Sequence, residues 1–348
     1  MVELWFGIAA ITVTLYVITD GFDLGAGALH LFVARTDPER RQVLAAIGPF
    51  WDGNEVWLLA TGGILFLAFP KVLASGLSGF YFAIMLVLWS LILRGIAIEF
   101  RSHVASTMWR QAWDVVFCGA SALLAIFLGA ALGNVLRGVP LDAQGWFSLE
   151  LFTDWSAGEP VGILDWYTVL IGVFAAAALA GHGASFLALR TDGPVQARSR
   201  TLMTRLFVAV AILWPLVTLA TWRVNGALFS AFPGRPIAFL AALLALAGLA
   251  AVFIGRRRGR DGQSFAGSCA FLLGLLGSAA AGLYPVMLRS SGDPSLSLTA
   301  PATAVPAAAL RTALLWWIVA FPLALGYLVF LFRLHRGRAV AAADGEGY

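Results

Sequence analysis

Long unbroken apolar runs, separated by short polar connections, dominate the chain. Nine of them have the length of a bilayer crossing, which takes about 20 apolar residues as a helix. They cover roughly residues 4–33, 49–70, 75–98, 113–136, 162–189, 203–223, 235–255, 265–288 and 311–333. The pattern predicts an all-α polytopic membrane protein with about nine transmembrane helices. A transmembrane barrel would instead show short strands alternating between lipid and lumen. The first run is longer than one plain crossing requires, since 30 residues of helix reach about 45 Å. It either tilts and projects from the bilayer or breaks near Gly25-Ala26-Gly27.

Composition agrees with the pattern. Of 348 residues, 60% are apolar and only 12% are charged, about half the share usual in soluble domains. Mean hydropathy is +0.85. These values exclude a cytoplasmic enzyme, a disordered chain and a secreted disulfide scaffold. Cys118 and Cys269 are single thiols inside apolar runs, with neither a disulfide framework nor a metal motif. The N-terminus has no positive region and no cleavage site, so it reads as a retained span. The whole chain, 1–348, reads as a single integral membrane domain.

Net charge is +4, and the basic residues stand between the apolar runs. That placement reports topology, not nucleic-acid binding. Sixteen of the 23 Lys and Arg residues fall in the connections after spans 1, 3, 5, 7 and 9, and six fall in the alternate connections. Arg94 lies within a span. The positive-inside rule then places the N-terminus outside and the C-terminus in the cytoplasm, as an odd number of crossings demands. The longest outer connections are 137–161 and 289–310.

An ionisable group inside a span costs at least about 2.5–3.5 kcal/mol, so each one needs a reason. Asp20 and Asp23 lie in span 1, Asp52 and Glu55 begin span 2, Arg94 and Glu99 close span 3, and Asp114 opens span 4. With the orientation above, all seven gather toward the cytoplasmic side. Asp20 and Asp23 share a helix face at i, i+3, as do Asp52 and Glu55. Gly21 and Gly25 add a small-xxx-small ridge for close helix approach. The expected arrangement is a polar pocket or wire in which one arginine faces six carboxyl groups. Some of those groups would hold protons, which suits proton relay, and the same pocket could bind a cation. Asp52, Glu55 and Asp114 also have a plainer reading as acids near helix starts, where the dipole favours them, and Arg94 near a helix end can snorkel.

Spans 5 to 9 offer only Asp165 and His182 as clear intramembrane titratable groups. A low-spin haem needs two axial ligands. Of His30, His103, His182 and His335, only His182 is well placed in a span, where a hydrogen-bonded helix histidine is the simpler reading. There is no G-x-G-x-x-G fold signature, no P-loop and no metal-ligand cluster. The chain therefore shows a proton-handling feature without a redox centre of its own.

Three stretches carry a family resemblance: Thr19-Asp20-Gly21-Phe22-Asp23-Leu24-Gly25, Gly48-Pro49-Phe50-Trp51-Asp52-Gly53-Asn54-Glu55-Val56-Trp57-Leu58, and Leu93-Arg94-Gly95-Ile96-Ala97-Ile98-Glu99-Phe100-Arg101. They closely resemble subunit II of cytochrome bd quinol oxidase, including the branch called cyanide-insensitive oxidase. Trp109-Arg110-Gln111-Ala112-Trp113-Asp114 fits a further stretch of that family. The second half resembles it mainly in hydropathy.

The resemblance implies two four-helix bundles, 1–136 and 162–288, with a peripheral ninth helix at 311–333. It implies a larger partner, subunit I, that carries haem b, haem d (or a b-type replacement) and the quinol site. In that complex, quinol is oxidised on the outer side of the bacterial cytoplasmic membrane, and O₂ is reduced with protons taken from the cytoplasm. Carried onto this sequence, Asp52 and Glu99 would be proton carriers at the shared interface. Asp23, Arg94 and Asp114 would support assembly or the same path. The candidate proton pathway is then Asp20, Asp23, Asp52, Glu99 and Asp114, with Arg94 as supporting charge and no cofactor clearly bound by this chain. Glu99 stands where many members have Asp. A small accessory transmembrane subunit and a structural quinone are compatible with the resemblance. Two other readings remain open at this level: a proton- or cation-coupled transporter, and a pure assembly scaffold.

Overall fold

The computed structural model describes residues 1–340. In chain order the helices are α1 (Val2–Val33), α2 (Asp37–Ile47), α3 (Trp51–Ala68), α4 (Pro70–Gly79), α5 (Tyr81–Phe100), α6 (Thr107–Arg137), α7 (Trp166–Arg190), α8 (Gly193–Val224), α9 (Ala227–Ser230), α10 (Pro236–Arg257), α11 (Asp261–Leu283), α12 (Ala300–Thr303) and α13 (Ala307–Leu334). Two short strands, β1 (Val286–Leu288) and β2 (Leu298–Thr299), pair antiparallel in the connection before α13.

Eight of these helices are long and apolar enough to cross a membrane: α1, α5, α6, α7, α8, α10, α11 and α13. The counterpart of the expected second span is α3, with 18 residues. Asp52, Asn54 and Glu55 occupy its first two turns and lower its apolarity.

The first run does not break. α1 is one helix of 32 residues, and its small residues serve packing instead. A Cβ on Gly25 would lie 2.0 Å from the Leu179 carbonyl oxygen and 2.8 Å from the Gly183 Cα, and one on Gly183 would lie 2.3 Å from the Ala26 nitrogen. The backbones of α1 and α7 therefore touch, the contact small residues make possible between membrane helices.

α1 packs on α3, α6, α7 and α11; α5 packs on α6, α7 on α8, and α10 on α11. Every residue from Thr19 to Gly27 is buried. A charge on this stretch meets no water, so its partners come from neighbouring helices. α13 lies outermost against α1 and α3, with Leu315, Trp316, Ile318, Val319 and Leu323 exposed. Its final turns are fixed by Phe332 stacking on Phe50, with ring centroids 4.5 Å apart, and by Arg190, which donates to the carbonyls of His335 and Gly337.

Asp165 has a local structural role. It is the N-cap of α7, accepting from the backbone N–H groups of Tyr167 at 2.7 Å and Thr168 at 2.8 Å, and it pairs with buried Arg137. The carboxylate thus satisfies the free N–H groups of the first turn and neutralises the arginine that ends α6.

Candidate functional site

The six acidic residues expected near Arg94 sort into two buried networks and two exposed side chains. The first network centres on Arg94, in the last third of α5. Its Nη1 donates to Asp20 Oδ1 at 2.6 Å, and its Nη2 donates to Glu55 Oε1. Asp20 and Arg94 are fully buried, whereas the Glu55 side chain is 29% exposed. One turn along α1, Asp23 Oδ2 accepts from Asn54 Nδ2 at 2.7 Å, and the same amide nitrogen reaches the Thr19 carbonyl at 3.2 Å. Three carboxyl groups from α1 and α3 thus share one guanidinium and one amide. Oδ2 of Asp20 and Oδ1 of Asp23 are buried without a hydrogen-bond partner among the described residues.

Asp114 belongs to a second, separate network. It accepts from His30 Nε2 at 2.7 Å, from Arg40 Nη1 at 2.8 Å, and from Arg101 Nε at 2.6 Å and Nη2 at 3.2 Å. Arg101 Nη2 also donates to Asp37 Oδ1 at 2.7 Å, and Arg110 donates to Asp37 Oδ2 at 3.1 Å. Arg101, just past the end of α5, lies seven residues beyond Arg94, about 10 Å along the axis. The single pocket of one arginine and six acids expected from sequence is therefore divided. Asp114 has arginines of its own, from α2 and from the turn after α5, and these lie outside the apolar runs where sequence reading looked for partners.

Asp52 and Glu99 are both exposed, on the first turn of α3 and the last turn of α5. Asp52 precedes Glu55 by three residues, so the two lie on neighbouring turns of one face.

The sequence matches the family described as cytochrome bd terminal oxidase subunit II over residues 1–335. The chain belongs to that family. Cytochrome bd-I ubiquinol oxidase subunit 2 of Escherichia coli (strain K12) is 36% identical over 223 residues, which is 64% of this chain and 55% of the relative. The match thus spans little more than half the length of that relative. Cytochrome bd ubiquinol oxidase subunit 2 of Bacillus subtilis (strain 168) is 33% identical over 299 residues, covering 85% of this chain and 84% of the relative. The solved bd oxidase of Geobacillus thermodenitrificans superposes with a TM-score of 0.76 at 16% identity, over 96% of this chain and 98% of that one. This last likeness is one of fold.

For a member of the subunit II family, the fit of a haem can be tested on the histidines. His182 is fully buried and both ring nitrogens are engaged: Nδ1 with Ser268 Oγ at 2.7 Å, and Nε2 with the Ile18 carbonyl at 2.9 Å. His30 gives Nε2 to Asp114. His182 does not fit an axial ligand; it pins α7 to α1 and α11. Among the described residues no group of three or more His, Cys, Asp or Glu is arranged to hold a metal ion.

Sequence reading missed Asn54, Arg101, Arg40 and His30 as network members. Asn54 and Arg101 stood inside the quoted motifs, so a signal existed. Arg40 on α2 and His30 on α1 carried none, because they meet Asp114 only where those two helices come together at the start of α6.

Proposed function

We propose that this chain is subunit II of a bd-type terminal quinol oxidase that reduces O₂ to water. In this reading it supports the haem-bearing subunit I and contributes a cytoplasmic proton-uptake path. α1, α3, α5 and α6 form one four-helix bundle, α7, α8, α10 and α11 a second, and α13 is peripheral. The arginine distribution supports an outside N-terminus and a cytoplasmic C-terminus. The haems of subunit I supply the electron transfer and oxygen chemistry.

The residues of this chain handle protons. Asp52 and Glu99, exposed on α3 and α5, receive them from the cytoplasm at the interface with subunit I. Glu55, half-open and one turn from Asp52, passes them to the buried network. Arg94 holds Glu55 and Asp20 on one guanidinium, and Asn54 fixes the Asp23 carboxyl. Three carboxyl groups thus gather around a single guanidinium, more acid groups than that one cation can pair. Asp114 stands outside the path. Its four hydrogen bonds commit it to clamping α1, α2, α6 and the α5–α6 turn together.

The observation that carries this reading is the buried Asp20–Arg94–Glu55 triad, reached through a partly exposed carboxyl group. Asp52→Asn and Glu99→Gln in the full complex should slow O₂ consumption while leaving the haem absorption spectrum near normal. Full turnover in both variants removes these residues from the path. Loss of haem together with loss of the complex assigns them to assembly instead.

A further inference from the structure

Tyr16 precedes Asp20 by four residues on α1, so the two side chains share a face with Tyr16 one turn nearer the helix start. Thr12 continues the same face by another turn. All three are buried, Tyr16 at 3% exposure. No hydrogen bond of full geometry reaches the Tyr16 hydroxyl or Oδ2 of Asp20 among the described residues, but the hydroxyl lies close enough to the Asp20 side chain to interact with it. A buried tyrosine hydroxyl ordinarily finds a partner, because an unpaired one forfeits its hydration for nothing. The charged groups that bear on this hydroxyl are Asp20 on its own helix, Glu55 on α3 and Arg94 on α5.

We propose that Tyr16 is a positioning residue for the acid network, its hydroxyl donating to Oδ2 of Asp20 and setting how readily Asp20 releases its proton. Arg94 holds one oxygen of that carboxyl group, and the tyrosine takes the other. The acid network thereby extends one turn deeper into the bilayer than the carboxyl groups themselves. This inference rests on the proton-path reading of Asp20, Asp23 and Glu55.

The test is oxygen consumption by the purified full complex across a range of pH. Tyr16→Phe keeps the ring and removes only the hydroxyl. Its turnover should fall by about tenfold, the factor one ordinary hydrogen bond represents, with a displaced pH profile and an unchanged haem spectrum. Wild-type turnover and a superimposable profile in Tyr16→Phe, alongside slowed Asp20→Asn and Asp23→Asn, would overturn the role of Tyr16 and leave the path standing. Full turnover in all three variants would overturn the path and this inference with it. Should Tyr16→Phe fail to assemble, 3-fluorotyrosine at position 16 decides: it keeps the shape and hydroxyl but makes the phenol more acidic. A displaced pH profile then supports the proposal, and one that coincides with wild type overturns it.

Discussion

Asp20 and Arg94, 74 residues apart in sequence, meet as a 2.6 Å ion pair with neither side chain exposed. Removing one partner of such a pair leaves the other charge buried and uncompensated, which costs about 3–5 kcal/mol. Arg94→Leu should therefore deplete the subunit from membranes and lower the unfolding temperature of what remains in detergent. Arg94→Lys keeps the charge but cannot fork between Asp20 and Glu55, so it should recover only part of that loss.

The α1–α7 contact should be as sensitive, for a steric reason. Gly25→Val places branched carbon where the Leu179 carbonyl and Gly183 backbone already sit. No flexible side chain stands there to yield, so the helices must separate. The expected cost is at least the about 1–3 kcal/mol typical of overpacking. Gly62→Ala in α3, where a Cβ would meet nothing within 4 Å, is the steric control and should leave stability unchanged or slightly raised, since alanine favours a helix over glycine. Thermal unfolding of the two variants, measured side by side, checks this.

Acid should loosen α2. Glu39 closes the capping box of this helix and accepts from Arg198 at 2.8 Å, tying α2 to α8. The Arg198 hydrogen bond, with help from the backbone N–H groups of Arg35 and Thr36, holds the Glu39 carboxyl below its ordinary value of 4.5 against the opposing effect of burial. A depressed acid contributes stability that is full above its unfolded value and fades as pH falls through the lower folded one. Amide protection factors in α2 should therefore drop as pH falls below 4.5. Glu39→Gln should flatten that dependence and start from lower protection at neutral pH.

In the proposed complex, His182→Ala should leave the haem content unchanged. Both ring nitrogens are used within the chain, on Ser268 and Ile18. The variant should still lose stability, by about 1–3 kcal/mol for polar groups left unpaired. A pyridine haemochrome assay and thermal unfolding on the same preparation separate the two effects.

Much of this architecture was legible along the chain, because apolar length reports crossings directly. The expected run 113–136 appears within α6, and 162–189 within α7, to a few residues. The small-xxx-small ridge of Gly21 and Gly25 correctly pointed to a close helix contact. Pairing of charges was less legible. Asp114 and Asp20 look alike as acids in apolar surroundings. Which arginine each one meets depends on where α2 and the α5–α6 turn fold, and local sequence does not encode that. Asp52 and Glu55 shared a helix face, yet only the inner one reaches Arg94. The neutral members, Asn54 and Tyr16, were missed because charge drew attention and a single hydroxyl or amide did not.

The central position of α1 has a consequence for how the protein is made. This segment leaves the ribosome ahead of its partners, carrying an aspartate whose neutralising guanidinium is synthesised 74 residues later. Gly183, the glycine that seats its backbone, follows later still. The segment therefore enters lipid before the groups that will pair with its acid exist. Its lasting home is assembled around it by later arrivals.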